Sequence, residues 1–372
     1  MHRRSRLWRL GGVLLALGLA AAACSDDSND DEAAGSGGGG GGGSLLDEVR
    51  DRGVLRCGVN ETVPGFGLVD ESGEYSGFDI EFCKVVAAGI LGDAEAVEYV
   101  SLDTETRFTA LDAGDIDVLI RNTTWTASRD GAENARFLET TFYDGQGMMV
   151  RADSGYTSIA DMDGTTICVL SGTTTELNLA TAAAQAGIDY EPLTFTEADQ
   201  IQEAFTAGQC QGWTSDKSQL AGVRSTFPES AGGPEALTIL DETFSKEPLG
   251  PVVRDGDDEW ADAVNWTIIA TIQAEEFGIT SENVEEMRSS DNLDVLRFLG
   301  QPIPSEDGEG DAAPFDPGLG LEPDFAVDVI SQVGNYGEIY ERTVGPDTPL
   351  GLERGPNALW TEGGLLYAAP YR

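Results

Sequence analysis

The chain holds one histidine in 372 residues, His2, and that residue falls inside an N-terminal targeting segment. A body without histidine cannot run a Ser-His-Asp or Cys-His mechanism, nor hold a histidine-ligated metal. No Walker-type phosphate loop is present. Basic residues are scarce, with 22 Lys and Arg against 66 Asp and Glu, a formal net charge of −44. Nucleic-acid binding needs a basic face to displace counterions, so it is excluded. No segment beyond the N-terminus approaches the roughly 20 apolar residues of a spanning helix. Paired-carboxylate catalysis stays open, but among so many acids no spacing singles out a pair.

What is present begins with a targeting signal. Arg3, Arg4, Arg6 and Arg9 form a basic start, and an apolar, small-residue run ends at Ala21-Ala22-Ala23-Cys24. This is the pattern of a secretory signal over residues 1–23. The Arg3-Arg4 pair hints at twin-arginine export. A small-residue run ending in Cys resembles a lipoprotein box, with Cys24 as the acylated first residue of the exported protein. Residues 24–44 are rich in Asp, Ser and Gly, with unbroken glycine from Gly37 to Gly43. Such a segment buries no apolar surface and reads as a tether. Four cysteines remain, Cys57, Cys83, Cys168 and Cys210. An even count in an exported chain favours two disulfides. Of the three connectivities, Cys57–Cys83 with Cys168–Cys210 is preferred, because each bridge then stays within one half. No metal site and no cofactor are expected.

The body, with 40% hydrophobic and 24% charged residues, alternates strands and helices. That argues an α/β fold with largely parallel sheets. Strands are expected at 54–59, 116–120, 166–170 and 210–214. Asp79 and Thr104 are read as caps of helices that run through Ile90 and to Gly114. Further helices are expected at 175–186, 198–207, 257–277 and 325–340, with an irregular connection at 302–323. Ala110 to Val118 and Ala204 to Gly212 share one order: helix, Ala-Gly stop, strand. The echo suggests two similarly built lobes with a ligand cleft between them.

Three segments fall at predicted strand ends, where open α/β sheets bind ligands. They are Arg121–Thr126 followed by Ser128-Arg129, Ser171–Glu176, and Asp216 after Trp213-Thr214-Ser215. Backbone N–H groups and hydroxyls at a helix start make an anion site, and a nearby arginine can hold a carboxylate in a fork. A carboxylate such as Asp216 can accept from an ammonium. Each also has a plainer role open to it: Thr173 and Thr174 as helix caps, Arg129 in a surface ion pair, Asp216 at a turn.

Gly77-Phe78-Asp79-Ile80-Glu81, Arg107-Phe108-Thr109-Ala110-Leu111, Arg121 to Arg129, Tyr143-Asp144-Gly145-Gln146-Gly147, and Ser171 to Asn178 resemble the family 3 extracellular solute-binding proteins. The likeness continues through Ser245–Pro251, Val333–Glu338 and Asn357–Trp360, and so covers nearly all of residues 45–372. It is nearest to the general L-amino-acid-binding branch of ABC transporters. The resemblance implies a periplasmic-binding-protein type II fold, two α/β lobes joined by hinge strands. Lobe 1 would span 45–149, lobe 2 150–246, and 247–372 would return to lobe 1 with a C-terminal extension. It implies a monomer that captures a free L-amino acid and delivers it to a membrane permease, held at the membrane by a lipid on Cys24.

Carried over by position, Arg129 pairs with the ligand α-carboxylate, assisted by Thr124 and the backbone of Thr173 and Thr174. Asn122 contacts the ammonium through its carbonyl, Asp216 supplies the countercharge, and Asn60 faces the ligand. Selective relatives place an aromatic where Val63 stands here. That implies a roomier, less selective pocket, with Phe66, Phe78 or Trp125 as candidate substitutes for the missing ring.

Two rivals come from other classes: a dehydratase-type enzyme on the same two-lobe scaffold, and a ligand-sensing binding protein. The acids are spread along the chain, which favours a hydrated surface over a cation-attracting patch. Self-repulsion of this size is screened by salt. The melting temperature of the body should therefore rise between about 0.05 and about 1 M NaCl. A fall on scanning calorimetry would mean that ion pairs outweigh repulsion.

Overall fold

The computed structural model describes residues 44–303 and 313–372. The signal segment, Cys24, all of the tether but Ser44, and residues 304–312 of the irregular connection lie outside the described residues. Two five-stranded sheets carry the fold. The first runs in the order Val97–Ser101, Leu55–Val59, Val118–Leu119, Val252–Arg254, Ala135–Phe137. The second runs Tyr190–Phe195, Thr165–Leu170, Gly212–Asp216, Gln146–Arg151, Leu237–Ile239. A two-stranded antiparallel ribbon, Phe142–Asp144 against Glu247–Leu249, stands where the chain passes between them.

The sheets are mixed rather than largely parallel. In each, three strands pair in parallel. Gln146–Arg151 and Val252–Arg254 then join antiparallel. These two follow directly on the ribbon strands, so each enters its sheet from the hinge side, against the direction of the crossover strands. No strand-by-strand reading of hydrophobicity carries that information.

Most expected elements stand within a residue or two. The strands are Leu55–Val59, Val118–Leu119, Thr165–Leu170 and Gly212–Asp216. The helix Asp258–Glu276 is capped by Asp257, whose side chain accepts from Trp260 N. The corrections have local causes. Asp79 does not cap its helix, Phe78–Leu91. Gly77 holds that place with a φ of 127°, where an added Cβ would meet Phe66 O at 2.3 Å. Asp79 is buried and accepts instead from Asn122 N at 2.7 Å. Thr106, not Thr104, precedes the helix Arg107–Ala113. The expected helix 325–340 is two, Phe325–Gln332 and Tyr336–Thr343, broken at Gly334 with φ 97° and restarted by the Asn335–Glu338 capping box.

The main core gathers Phe78–Leu91, Asp258–Glu276 and Phe325–Gln332 against the first sheet. Smaller clusters line both faces of the second sheet. Each half carries its own disulfide, Cys57–Cys83 and Cys168–Cys210. They close loops of 26 and 42 residues, worth about 3.5–4 kcal/mol each on a chain-entropy account. Asp117 ties the start of the central strand Val118–Leu119 to its neighbour: its buried carboxylate takes Arg56 Nη2 at 2.7 Å and also pairs with Arg52. Among the described residues no helix is long and apolar enough to cross a membrane.

Candidate functional site

A narrow cleft lies between the two sheets. Its walls are strand ends and the loops that follow them. From the first sheet come Asn60, after Leu55–Val59, and Asn122 and Thr124, after Val118–Leu119. Arg129 reaches in from the short helix Ala127–Ala132. From the second sheet come Thr173 and Thr174, after Thr165–Leu170, and Asp216, the last residue of Gly212–Asp216. Seven residues expected from sequence thus meet in one place.

Two do not. Phe66 is 1% exposed and packs into the core against Phe142 and Phe78, at 5.2 and 5.9 Å. Trp125 turns away from Thr124, as neighbours in extended chain do. Its ring stacks on Phe137 at 6.0 Å, half exposed behind the hinge. Val63 and Phe78 are core residues as well. Among the described residues no aromatic ring lines the cleft.

Sequence reasoning passed over Gln219, read Thr104 only as a helix cap, and quoted Arg107 only as part of a motif. All three line the cleft, as does Arg121. Gln219 is a polar residue inside the helix Lys217–Ser225, where a sequence pattern reads as a solvated face. It is 3% exposed. The usable signal was Arg107 itself, an arginine opening the apolar run Phe108–Leu111 of a short helix.

The backbone frames these groups. Asn122 has φ 32°, a left-handed conformation that asparagine tolerates. Asp79 holds its N–H, and Asn60 Nδ2 donates to its Oδ1 at 3.2 Å. Thr173 caps the helix Thr174–Ala186 by accepting from Glu176 N at 3.1 Å. The helix start therefore points N–H groups into the cleft. Thr174 Oγ1 donates to Glu247 Oε2 at 2.8 Å, which ties that helix to the hinge ribbon.

Charge is the unusual feature. Arg129 donates from Nη1 to Thr124 O at 2.9 Å but has no carboxylate partner among the described residues. Burial lowers its pKa, and Asp216 and Glu247 partly restore it. Asp216 faces it from the other lobe, 5% exposed, with Oδ1 unpartnered. Burial first, and then the carboxylates of Asp144 and Glu247, push the Asp216 carboxyl well above its ordinary range. Asp144 is itself raised to about 6, mainly by burial. One cleft thus holds a buried guanidinium on one lobe and, on the other, a buried carboxyl that is held back from ionising. Such groups call for ionic partners of opposite sign.

The comparisons with known proteins agree with this geometry. The family model for bacterial extracellular solute-binding proteins, family 3, matches residues 55–282. The chain belongs to that family. It is similar to the general L-amino acid-binding periplasmic protein AapJ of Rhizobium johnstonii, at 47% identity over 88% of this chain and 92% of that one. It is equally similar, at 47% over 88% and 94%, to the glutamate/glutamine/aspartate/asparagine-binding protein BztA of Rhodobacter capsulatus. A solved periplasmic binding protein from Brucella ovis with glutathione bound matches at a TM-score of 0.82 and 44% identity, covering 89% of this chain and all of that one. As a family 3 solute-binding protein the chain is a binder, not an enzyme, and its relatives work in the periplasm or outside the cell.

The lobes touch at the cleft rim. Thr104 Oγ1 donates to Ser171 O at 2.9 Å, and Ser171 Oγ to Glu105 Oε1 at 2.8 Å. Gly222, on the second lobe, packs so closely that an added Cβ would lie 2.4 Å from Pro64 O of the first. Gly222→Ala should therefore oppose closure without touching the solute. We expect about tenfold weaker binding by calorimetry, near 1.4 kcal/mol, with the unliganded melting temperature kept. Unchanged affinity would show that this contact lies outside the closing motion.

Proposed function

We propose that this protein captures free L-amino acids of varied side chain and hands them to the permease of an ABC importer. The observation that carries the reading is the opposed pair of buried groups, the Arg129 guanidinium on one lobe and the Asp216 carboxyl, with Oδ1 unpartnered, on the other. A zwitterionic α-carbon needs that arrangement. Arg129 takes the α-carboxylate in a forked pair, helped by Thr124 Oγ1 and the N–H groups at Thr173 and Thr174. Asp216 and the carbonyl of Asn122 accept from the ammonium, and Asn60 orders that side of the cleft. All amino acids share these atoms, so the lining beyond them sets the preference. A cleft without an aromatic ring supports a broad choice. Because the ligand touches both lobes, its binding energy favours the closed form.

The organisation follows from this reading. Residues 45–145 and the returning segment after 247 form lobe 1, and 146–246 form lobe 2; the boundary moves from 149 to 145 because the strand Gln146–Arg151 pairs within the second sheet. The extension to 372 packs on lobe 1. Residues 24–44 tether a monomer to the membrane through a lipid on Cys24, after export under the signal 1–23. The relatives' names support the solute class, AapJ for general L-amino acids and BztA for four of them.

Calorimetry of the exported chain against common L-amino acids tests the reading. Micromolar or tighter binding of several is expected, and Arg129→Ala should lose at least about a hundredfold while its unliganded melting curve survives. An Arg129→Ala protein that binds as wild type removes Arg129 from the site.

The pH dependence has a defined sign. In the unliganded protein the Asp216 carboxyl is raised, and Asp144 beside it is raised to about 6. An arriving ammonium favours the ionised carboxylate, so binding releases protons. By linkage, affinity then rises with pH. It should strengthen from about pH 5 to about pH 8, and Asp216→Asn should flatten the profile. A profile that falls over this interval would contradict the ammonium assignment.

A further inference from the structure

A second hollow lies at the hinge and shares no lining residue with the cleft. Consecutive residues divide between the two. Thr124 and Asp216 line the cleft, while Trp125 and Lys217 line the hinge hollow. Both lobes and the ribbon contribute to it. Trp125 comes from the first lobe, Lys217 from the second, and Tyr143 and Pro248 from the ribbon, with Leu365 of the C-terminal extension. The wall is apolar where it meets water: Trp125 and Leu365 are 44% and 57% exposed. A concave, largely apolar hollow with a few polar groups at a boundary between lobes has the form of a small-molecule site.

Its charges point to the ligand. The chain has three lysines in 372 residues, Lys84, Lys217 and Lys246, against 66 Asp and Glu. Two of the three, Lys217 and Lys246, line this hollow. Lys84 is paired with Glu81 and Glu95, at 3.8 and 3.4 Å. Neither hinge lysine has a carboxylate oxygen within 4.0 Å among the described residues. Lys217 Nζ donates to a carbonyl, Asp241 O at 2.8 Å, and Lys246 is exposed. Two carboxyl groups also line the hollow, those of Asp144 and Glu247. All four of their oxygens already accept hydrogen bonds. Asp144 takes Gly145 N and Ser218 N, and Glu247 takes the side chains of Thr174, Asn178 and Ser245. The ammonium groups are the ones left without an ionic partner. With acids so dominant, chance does not readily gather two free ammonium groups on one hollow.

These features define the ligand. Ammonium groups are point charges that need no forked geometry, so they suit a carboxylate held from one side. The nearby Asp144 and Glu247 oppose a second negative charge, which disfavours phosphates and dicarboxylates. The rings of Trp125 and Tyr143 favour a flat apolar body. We propose that the hinge hollow is a second binding site, for a small monocarboxylate carried on a flat apolar body. The lobes touch at the cleft rim in this structure, so an occupant seated on both fits the closed form. It binds alongside a solute in the cleft rather than in its place.

Calorimetry on the full exported chain with phenylacetate and its neutral analogue phenylacetamide tests the site. Phenylacetate should bind at least about tenfold more tightly than the amide. Lys217→Gln with Lys246→Gln should remove that advantage, a loss of about tenfold for the acid and less than about twofold for the amide. An acid that binds no better than the amide, or a double variant that binds it as wild type does, overturns the proposal. So does a wild type that does not bind phenylacetate. Should the double variant fail to fold, Lys246→Gln alone serves, because that side chain is exposed. It should cost the acid about threefold, and no loss overturns the site. Titration with the cleft saturated by an L-amino acid separates the two sites. Phenylacetate affinity should hold or rise by up to about threefold, with the amino acid's own affinity shifting by the same factor. Exclusion of phenylacetate by the amino acid would place it in the cleft and overturn the second site. A chain that takes phenylacetate through the lysines but binds no amino acid overturns the amino-acid reading and leaves this site in place.

Discussion

The constraint on which this structure depends is the cost of burying charge. Each lobe brings ionisable groups to the cleft that find no full partner within their own lobe: Arg107 and Arg129 on the first, Asp216 on the second. Left wet in an open cleft, they are tolerable. Closure takes them from water, and then attraction must replace hydration. A solute with matching charges turns that cost into a gain. Closure and capture are therefore one event, and their shared energy is electrostatic rather than apolar. Among the described residues Leu170 is the one aliphatic side chain that lines the cleft, and it alone cannot drive association.

The hinge is built to hold this balance. Asp144, half-buried, and Glu247, buried, face each other across the ribbon in register, two carboxyl groups in direct opposition. Like charges so placed are unfavourable. Each is answered by hydrogen bonds instead. Glu247 accepts from Thr174 and Asn178, at 2.8 and 2.9 Å, and Asp144 accepts from the N–H groups of Gly145 and Ser218. Both sets of donors include second-lobe residues, so the ribbon's acids position that lobe. On the outer side the C-terminal segment grips the same ribbon. Asn357 exchanges two hydrogen bonds with the Tyr143 backbone, and Tyr336 donates to Thr141 O at 2.8 Å. The extension is thus packed to stiffen the hinge from behind.

How much of this was legible in the sequence depends on what each residue answers to. Strand and helix positions follow hydrophobic period, and they fell close. Caps follow backbone geometry, and there the reading slipped. Gly77 takes the helix start because a Cβ would strike Phe66 O, a contact made by a distant turn. Asp79 is then released to hold Asn122. Cleft residues at strand ends were visible through local chemistry and the family likeness. Phe66 and Trp125 were not separable from them, because which face of an extended segment meets the cleft depends on the ribbon, where Trp125 N donates to Pro248 O at 2.8 Å. Arg107 and Gln219 read as ordinary helix residues. Only the tertiary fold shows that they are buried and that parts of them lack partners.

The surface and the cleft carry opposite signs, and the contrast has a physical use. A chain of net charge −44 repels anions at long range. Its cleft nevertheless concentrates three guanidiniums against one lining carboxylate. The two fields differ in reach. Exposed charges are screened over about 8 Å at physiological salt and about 3 Å at 1 M, whereas buried ones are screened far less. As salt rises, the repulsive outer field collapses first and the inner attraction persists. The acidity of the surface and the cationic character of the cleft are then compatible in a salty medium. There the surface keeps the body hydrated, and the cleft determines which solute is captured.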